Sequence, residues 1–260
     1  MLKKWVKRIV LGALALAALF LVSCDLSPDQ VESSESRLTA RPGTPTLTPT
    51  KGLTQLGLSS GRDGILYVPE SYSPDTPMPL FIGLHGASSS SSYWRGYYEY
   101  AEERGMIFMA PDSRASTWDF IQGDNGADLQ FLDQALQYVF DQCNIDPTRL
   151  ALAGFSDGAS YALSLGITNG DLFSHLIGFS PGFVVATDPL VGKPQIYVSH
   201  GSHDAVLPVE TSRDIIVPNL LERDYEVVYN EFPGGHTVPI SVYKAALDWF
   251  LGVNGDSPSQ

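Results

Sequence analysis

The chain has little positive charge and almost no cysteine. It carries 16 lysine and arginine residues against 29 acidic residues, for a net charge of −13, and it has only two cysteines. Nucleic-acid binding needs clustered basic side chains, so this composition argues against a nucleic-acid partner. Two cysteines exclude a disulfide framework as the basis of the fold. No His, Cys, Asp or Glu cluster has metal-ligand spacing and no glycine-rich phosphate loop follows the first predicted strand, so we expect no metal and no nucleotide.

The remaining composition indicates one folded domain with terminal extensions. Hydrophobic residues make up 43% of 260 residues, and the 24 glycines and 18 prolines are spread along the chain. This is enough apolar material for a substantial core. We predict an export signal at 1–23, a tether at 24–53, a folded domain at 54–252 and a tail at 253–260.

The N-terminus has the layout of an export signal. Four basic residues (Lys3, Lys4, Lys7 and Arg8) precede an apolar run from Ile9 to Val22, which is short for a bilayer span. Its end, Leu21-Val22-Ser23-Cys24, resembles the bacterial lipobox, where signal peptidase II cuts before a cysteine whose thiol carries diacylglycerol. The resemblance implies an exported protein of the bacterial cell envelope, attached to a membrane by lipid on Cys24. An ordinary signal peptide with a chance cysteine and a retained membrane anchor are the alternatives.

Residues 24–53 predict a flexible tether. They are rich in serine, threonine and proline and have no hydrophobic period, so such a segment buries too little surface to offset its ordering entropy. An acylated Cys24 would leave Cys143 without a disulfide partner in the chain. Cys143 ends a helical pattern, and we expect it to be a small packed residue and not a nucleophile.

The folded part alternates between two kinds of segment. β-Branched and aromatic runs predict strands at Gly64–Val68, Leu80–His85, Met106–Ala110, Arg149–Phe155, His175–Ser180, Gln195–His200 and Glu226–Phe232. Helical patterns lie at Tyr93–Arg104, Ala127–Cys143, Asp157–Asn169, Val209–Arg223 and Ile240–Leu251. This alternation predicts an α/β fold, with a mostly parallel sheet and helices on both faces. Reactive residues are then expected just after the carboxyl ends of strands.

One such strand end has the pattern of a nucleophile. Gly154-Phe155-Ser156-Asp157-Gly158 follows a predicted strand and a helical pattern begins at once. The Gly-x-Ser-x-Gly motif between strand and helix is typical of a sharp, strained turn that exposes a serine hydroxyl. The glycines are needed because the strand and the helix approach closely there. A glycine-rich turn with a structural serine is the alternative reading.

The order of the chain selects the partners of Ser156. In the nucleophile-elbow arrangement an acid and then a histidine follow the serine. We predict His236, after the last strand, as the general base, and Asp204, at the end of the strand Gln195–His200, as the acid that orients it. Glu210 is the best rival for the acid, and a structural role for His236 is the alternative for the base.

Backbone N–H groups are expected to complete the site. The N–H after the nucleophile, on Asp157, and one in the loop after the early strand, on Ala87, are the predicted oxyanion donors. We expect His85 to support that loop instead of acting as a second base. Trp118 is predicted as a wall of the substrate pocket, with plain packing as the alternative.

These motifs together resemble the α/β-hydrolase superfamily. The resemblance rests on Leu84–Ala87, Gly154–Gly158, His200–Asp204 with Pro208, and Gly235-His236, and it covers about Leu58 to Leu251. It is nearest to bacterial phospholipase/carboxylesterase-type esterases, which are related to polyhydroxyalkanoate depolymerases and feruloyl esterases.

The resemblance implies an eight-stranded sheet, no cofactor, and hydrolysis of small-molecule or polymer esters through an acyl-serine. His-Gly-Ala-Ser at 85–88 departs from the His-Gly-Gly-Gly of the hormone-sensitive-lipase group. The stretch between Ser180 and Gln195 is too short for a helical lid, which favours an open site. A serine peptidase of the same fold and a non-catalytic lipoprotein that retains the fold are the competing hypotheses.

Overall fold

A computed structural model describes residues 37–119, 126–186 and 189–253 of the chain. The predicted export signal with Cys24, the first part of the predicted tether and nearly all of the predicted tail lie outside these residues. Within them, no helix combines the length and the apolar character that crossing a membrane requires.

The described residues contain one sheet of eight strands. These are β1 (Gly52–Gln55), β2 (Gly64–Val68), β3 (Met78–Leu84), β4 (Ile107–Pro111), β5 (Ile145–Phe155), β6 (His175–Phe179), β7 (Gln195–Gly201) and β8 (Val227–Phe232). Their spatial order is β1-β2-β4-β3-β5-β6-β7-β8. β1 and β2 are antiparallel to their neighbours, and every other pairing is parallel. The predicted mostly parallel sheet is confirmed.

Five α-helices fall within the described ranges. They are α1 (Glu99–Arg104), α2 (Ala127–Gln142), α3 (Asp157–Thr168), α4 (Val217–Leu221) and α5 (Ile240–Leu251). A 3₁₀ helix at Ser91–Gly96 precedes α1, and a π-helix at Thr211–Ile216 runs into α4.

Helices cover both faces of the sheet, and the sheet divides the apolar core into two clusters. All seven residues of β3 are buried, and its side chains alternate between the faces. Leu80 and Ile82 join one apolar cluster with α2, whereas Phe81 joins a second cluster with α5. A strand buried on both faces is therefore a continuous apolar run, as Leu80–Leu84 is in the sequence.

The second half of the predicted tether is not a tether, so the predicted boundary at 53 is wrong. Leu38 is 2% exposed and lies in the core cluster, and its N–H donates to Asn169 Oδ1 at 2.9 Å. Arg41 pairs with Asp171 at 2.7 Å, and Thr39 N–H donates to Asp133 Oδ1 at 2.7 Å. A few anchoring side chains outweigh the polar composition and the lack of a hydrophobic period on which the predicted tether rested.

Two predicted helices have different geometry. The pattern at Tyr93–Arg104 is split into the 3₁₀ helix and α1, with Trp94 completely buried. The pattern at Val209–Arg223 becomes the π-helix followed by α4, which has Pro218 in its first turn. Proline has no N–H to donate to the preceding turn, so a regular α-helix cannot run through this point.

We predict that Leu38→Ala lowers the free energy of unfolding by about 2–4 kcal/mol, since it removes a buried side chain from the core. Urea unfolding followed by tryptophan fluorescence measures the change. Leu47→Ala is the matched control, because Leu47 lies in the same segment and is 61% exposed. Equal stability of the two variants would contradict the packing of residues 37–51 on the domain.

Candidate active site

Ser156 stands alone between a strand and a helix. β5 ends at Phe155 and α3 begins at Asp157. Ser156 has φ 57° and ψ −121°, a backbone conformation that residues other than glycine rarely adopt. Its N–H donates to Phe179 O of β6 at 2.9 Å. The strained serine turn at the carboxyl end of a central strand is the feature that the motif predicts.

The motif glycines allow three backbones to meet beside Ser156. A Cβ at Gly154 would lie 2.1 Å from Gly158 O, and a Cβ at Gly158 would lie 2.4 Å from Leu84 O of β3. Both distances are far below van der Waals contact, and the obstacles are backbone atoms that cannot swing aside. The first turn of α3 can pack on β5 and β3 only because both positions lack a side chain.

Asp204 and His236 meet across two loops at the same edge of the sheet. His236 Nδ1 lies 2.6 Å from Asp204 Oδ2. The other carboxylate oxygen accepts the N–H groups of Val206 and Leu207 at 2.8 and 2.9 Å. Because the carboxylate is acceptor-only, Nδ1 carries the proton and Nε2 presents a lone pair.

The charge of Asp204 is stabilised although its side chain is completely buried. Burial by itself disfavours the carboxylate, but the Leu207 N–H, the His236 ring and the Val206 N–H together hold the pKa of Asp204 below its usual value. Asp204 is therefore an ionised partner for His236 at neutral pH.

Glycine again allows the close approach of the two loops. A Cβ at Gly201 would lie 2.4 Å from Gly234 O, and His203 N–H donates to Gly234 O at 2.9 Å. The loop after β7 thus lies directly against the loop after β8, which places Asp204 next to His236. Glu210, the rival acid, is 60% exposed at its side chain and pairs with Arg213.

Aromatic packing links His236 to the serine turn. The ring of Phe155, the residue before Ser156, lies 4.7 Å from the His236 ring. Tyr93 stacks on Phe155 at 5.0 Å with the ring planes 2° apart. The structure thus brings the histidine to the turn that holds the predicted nucleophile. No local sequence pattern marks Phe155 or Tyr93 for this packing.

The predicted oxyanion loop also lies beside the serine. A Cβ at Gly86 would be 3.3 Å from Ser156 Cβ, and Ala87 is the next residue. Asp157 is the first residue of α3, so its N–H is one of the unpaired donors of the helix N-terminus. The Asp157 carboxylate accepts Thr117 Oγ1–H at 2.7 Å, which ties it to a neighbouring loop.

His85 supports the loop, as predicted. It is completely buried, and its Nδ1 donates to Gly86 O at 2.7 Å while Nε2 accepts Ser113 N–H at 3.0 Å. Burial, reinforced by the charge of Arg62, lowers its pKa below the usual value despite the opposing hydrogen bond to Gly86. A neutral ring with both nitrogens engaged holds a backbone in place and is not available as a base.

Trp118 does not form a pocket wall, so that prediction is wrong and the packing alternative holds. Its side chain is 1% exposed, it stacks on Tyr161 at 5.2 Å, and its indole N–H donates to His85 O at 2.9 Å. Trp118 contacts His85 on its buried side and thus supports the predicted oxyanion loop. Burial of this indole N–H depends on the His85 carbonyl, which only the tertiary structure brings close.

Other reactive groups are engaged elsewhere. Cys143 is buried, and burial raises the pKa of its thiol to about 12. His175 packs edge-on against Trp249, and burial lowers its pKa to about 4. Across residues 37–119, 126–186 and 189–253, no group of three or more His, Cys, Asp and Glu side chains is arranged to hold a metal ion.

Residues 58–214, more than half of the chain, match the protein family described as "Putative esterase". The chain is 29% identical over 176 residues to feruloyl esterase C of Emericella nidulans, covering 64% of this chain and 62% of that protein. It is 28% identical over 160 residues to a bifunctional acetylxylan esterase/xylanase of Neocallimastix patriciarum, covering 57% of this chain and 22% of that protein. The chain thus spans less than two thirds of either curated relative.

Solved structures show the same fold. The crystal structure of esterase PE8 superposes with a TM-score of 0.61 at 21% identity, covering 74% of this chain and 98% of that one. At this identity the likeness concerns the fold alone. Together with the sheet order and the helices on both faces, it confirms the predicted α/β-hydrolase fold.

We predict that Gly158→Ala abolishes the native packing of α3 on β3, because the new methyl group would sit 2.4 Å from backbone carbonyl oxygens. The variant should unfold at a clearly lower temperature than the wild type or fail to accumulate as soluble protein. Gly43→Ala is the control, since no atom lies within 4 Å of its added Cβ. Circular dichroism melting curves that coincide for Gly158→Ala and the wild type would contradict the close approach.

Proposed function

This chain belongs to the Esterase family, and from that premise we propose that it is a serine hydrolase that cleaves carboxylic esters through an acyl-serine on Ser156. The observation that carries the proposal is the joint presence of a strained serine turn and an Asp204–His236 pair at one edge of the sheet. Strain of this kind persists only where the surrounding structure holds it, and it concentrates at functional sites.

The residues have complementary roles in the proposed reaction. His236 Nε2 takes the proton from the Ser156 hydroxyl as its oxygen attacks the ester carbonyl. Asp204 accepts the Nδ1–H at 2.6 Å and stabilises the imidazolium that forms. The carbonyl oxygen becomes an oxyanion, to which the N–H groups of Asp157 and Ala87 donate hydrogen bonds.

Three further proton transfers complete the cycle. The tetrahedral intermediate expels the alcohol, which takes the proton from His236 and leaves the acyl group on Ser156. Water then attacks the acyl-serine while His236 takes its proton. Release of the carboxylic acid returns the proton to Ser156 and restores the neutral histidine.

The proposed substrates are small esters or ester groups on a polymer. The similar proteins are named for feruloyl and acetylxylan esters, so esters of small aromatic acids and of acetic acid are the first to examine. The described residues between β6 and β7 contain no helix, which is compatible with a site that no lid covers.

We predict that Ser156→Ala lowers kcat for p-nitrophenyl acetate or butyrate by roughly three orders of magnitude or more. It should also abolish labelling by a fluorophosphonate probe, because the nucleophilic oxygen is absent. Ser202→Ala is the control variant, since this serine side chain has only a 3.5 Å contact with His203. Protein lacking residues 1–24 can be used for all three forms.

Three outcomes would overturn the proposed mechanism. Equal turnover by Ser156→Ala and the wild type would exclude Ser156 as the nucleophile. Cleavage of peptide amides without cleavage of esters would indicate a peptidase of the same fold. A folded wild-type protein without turnover or probe labelling would indicate a non-catalytic lipoprotein.

We further propose that the protein is exported in a bacterium and held in the cell envelope by lipid on Cys24. The described chain begins at Arg37, which pairs with Asp171 just beyond the end of α3. Ser156 is at the opposite end of α3, about 18 Å away for a twelve-residue helix. Arg37 thus lies near the end of α3 that is opposite to Ser156.

Cys24→Ser should remove the lipid from the full-length protein. Expressed in a bacterial host fed a labelled fatty acid, the wild type should carry label and sediment with membranes, and Cys24→Ser should do neither. Cys143→Ala is the matched control and should keep the label, since Cys143 is buried. A soluble, cleaved and unlabelled wild type would favour an ordinary signal peptide, and an uncleaved one a retained anchor.

A further inference from the structure

A second histidine lies against Asp204. His200 is completely buried near the end of β7, and its Nε2 is 3.3 Å from Asp204 Oδ2, the oxygen that also contacts His236. The same Nε2 donates to Leu207 O at 2.9 Å. Leu207 in turn donates its N–H to Asp204 Oδ1, so His200 contacts both the carboxylate and the turn that cradles it.

The proton position on His200 follows from its partners. A carbonyl oxygen can only accept, so the proton lies on Nε2. Nδ1 forms a hydrogen bond with the Ser212 hydroxyl at 2.7 Å. Ser212 is completely buried in the π-helix at Thr211–Ile216. The Leu207 carbonyl therefore keeps an N–H on the edge of the ring that faces Asp204, and Ser212 holds the opposite edge.

We propose that His200 is a positioning residue that acts through Asp204, and that Ser212 holds its ring in the required orientation. The inference rests on the proposed function, in which Asp204 orients His236. The side chain of Asp204 is completely buried, so protein groups surround its carboxylate. Removing the N–H of His200 would release the Leu207 carbonyl, which loosens the Asp204 turn, and would take away the positive end of the N–H dipole near Oδ2.

Two amide substitutions separate the two nitrogens of the ring. The amide nitrogen of His200→Gln reaches the place of Nε2, whereas that of His200→Asn reaches only the place of Nδ1. We expect His200→Asn to lower kcat for p-nitrophenyl acetate by roughly tenfold, the equivalent of one buried hydrogen bond, with KM unchanged. His200→Gln should restore kcat to within about threefold of the wild type.

A double-mutant comparison distinguishes this role from general support of the fold. If His200 acts through Asp204, His200→Asn should lower kcat no further in an Asp204→Ala background. His175→Asn is the control for loss of a buried imidazole. His175 lies on β6, the strand next to β7, and packs against Trp249 and Phe250 of α5. The substitution should lower the melting temperature without changing kcat.

Ser212→Ala provides the test if His200→Asn does not fold. It leaves every atom around Asp204 in place but removes the hydrogen bond that orients the His200 ring, so kcat should fall by about threefold with KM unchanged. This effect too should vanish in the Asp204→Ala background.

The proposal is overturned if His200→Gln and His200→Asn lower kcat equally, or if the effect of His200→Asn or Ser212→Ala persists in the Asp204→Ala background. It also fails if these variants keep wild-type kcat while Ser156→Ala and Asp204→Ala lose activity, which leaves the proposed function standing. Absence of probe labelling on wild-type Ser156 would overturn the proposed function and this inference together.

Discussion

The close approach of three backbones around Ser156 is the constraint on which the rest of the site depends. The first turn of α3 lies against both β5 and β3 at separations that no Cβ would allow. At this contact the serine has a backbone conformation with positive φ. It also brings Gly86, in the loop after β3, beside the serine side chain. A side chain at Gly154 or Gly158 would disturb the turn and the predicted oxyanion loop at once.

Buried polar groups hold the surrounding loops in register. His85 receives Ser113 N–H and the Trp118 indole donates to the His85 carbonyl, which fixes the loop on one side of Ser156. On the other side, His200 and two backbone N–H groups surround Asp204. Both arrangements use a buried imidazole that joins two loops through hydrogen bonds. Each joins segments that are distant in the sequence, so these contacts exist only in the folded state.

Much of the fold was predictable because strand and helix periods are local. β2 and α5 have the predicted bounds, and the other predicted strands differ by a few residues at their ends. The polar composition of residues 37–53 led to the wrong prediction of a tether there, since Leu38 and the partners of Arg41 and Thr39 hold this segment on the domain. Helical periodicity also gave no sign of the π-helix ahead of Pro218, whose missing N–H alters the hydrogen-bond pattern.

The sequence by itself determined the candidate catalytic residues: a serine in a glycine-flanked turn, then an aspartate and a histidine at later strand ends. Those assignments needed only chain order and local pattern. The tertiary structure alone decided that Asp204 and not Glu210 contacts His236, that Trp118 is a buried support, and that His200 and Ser212 lie behind the carboxylate. Each of these depends on which loops the sheet order brings together across tens of residues, and local sequence does not encode such distances.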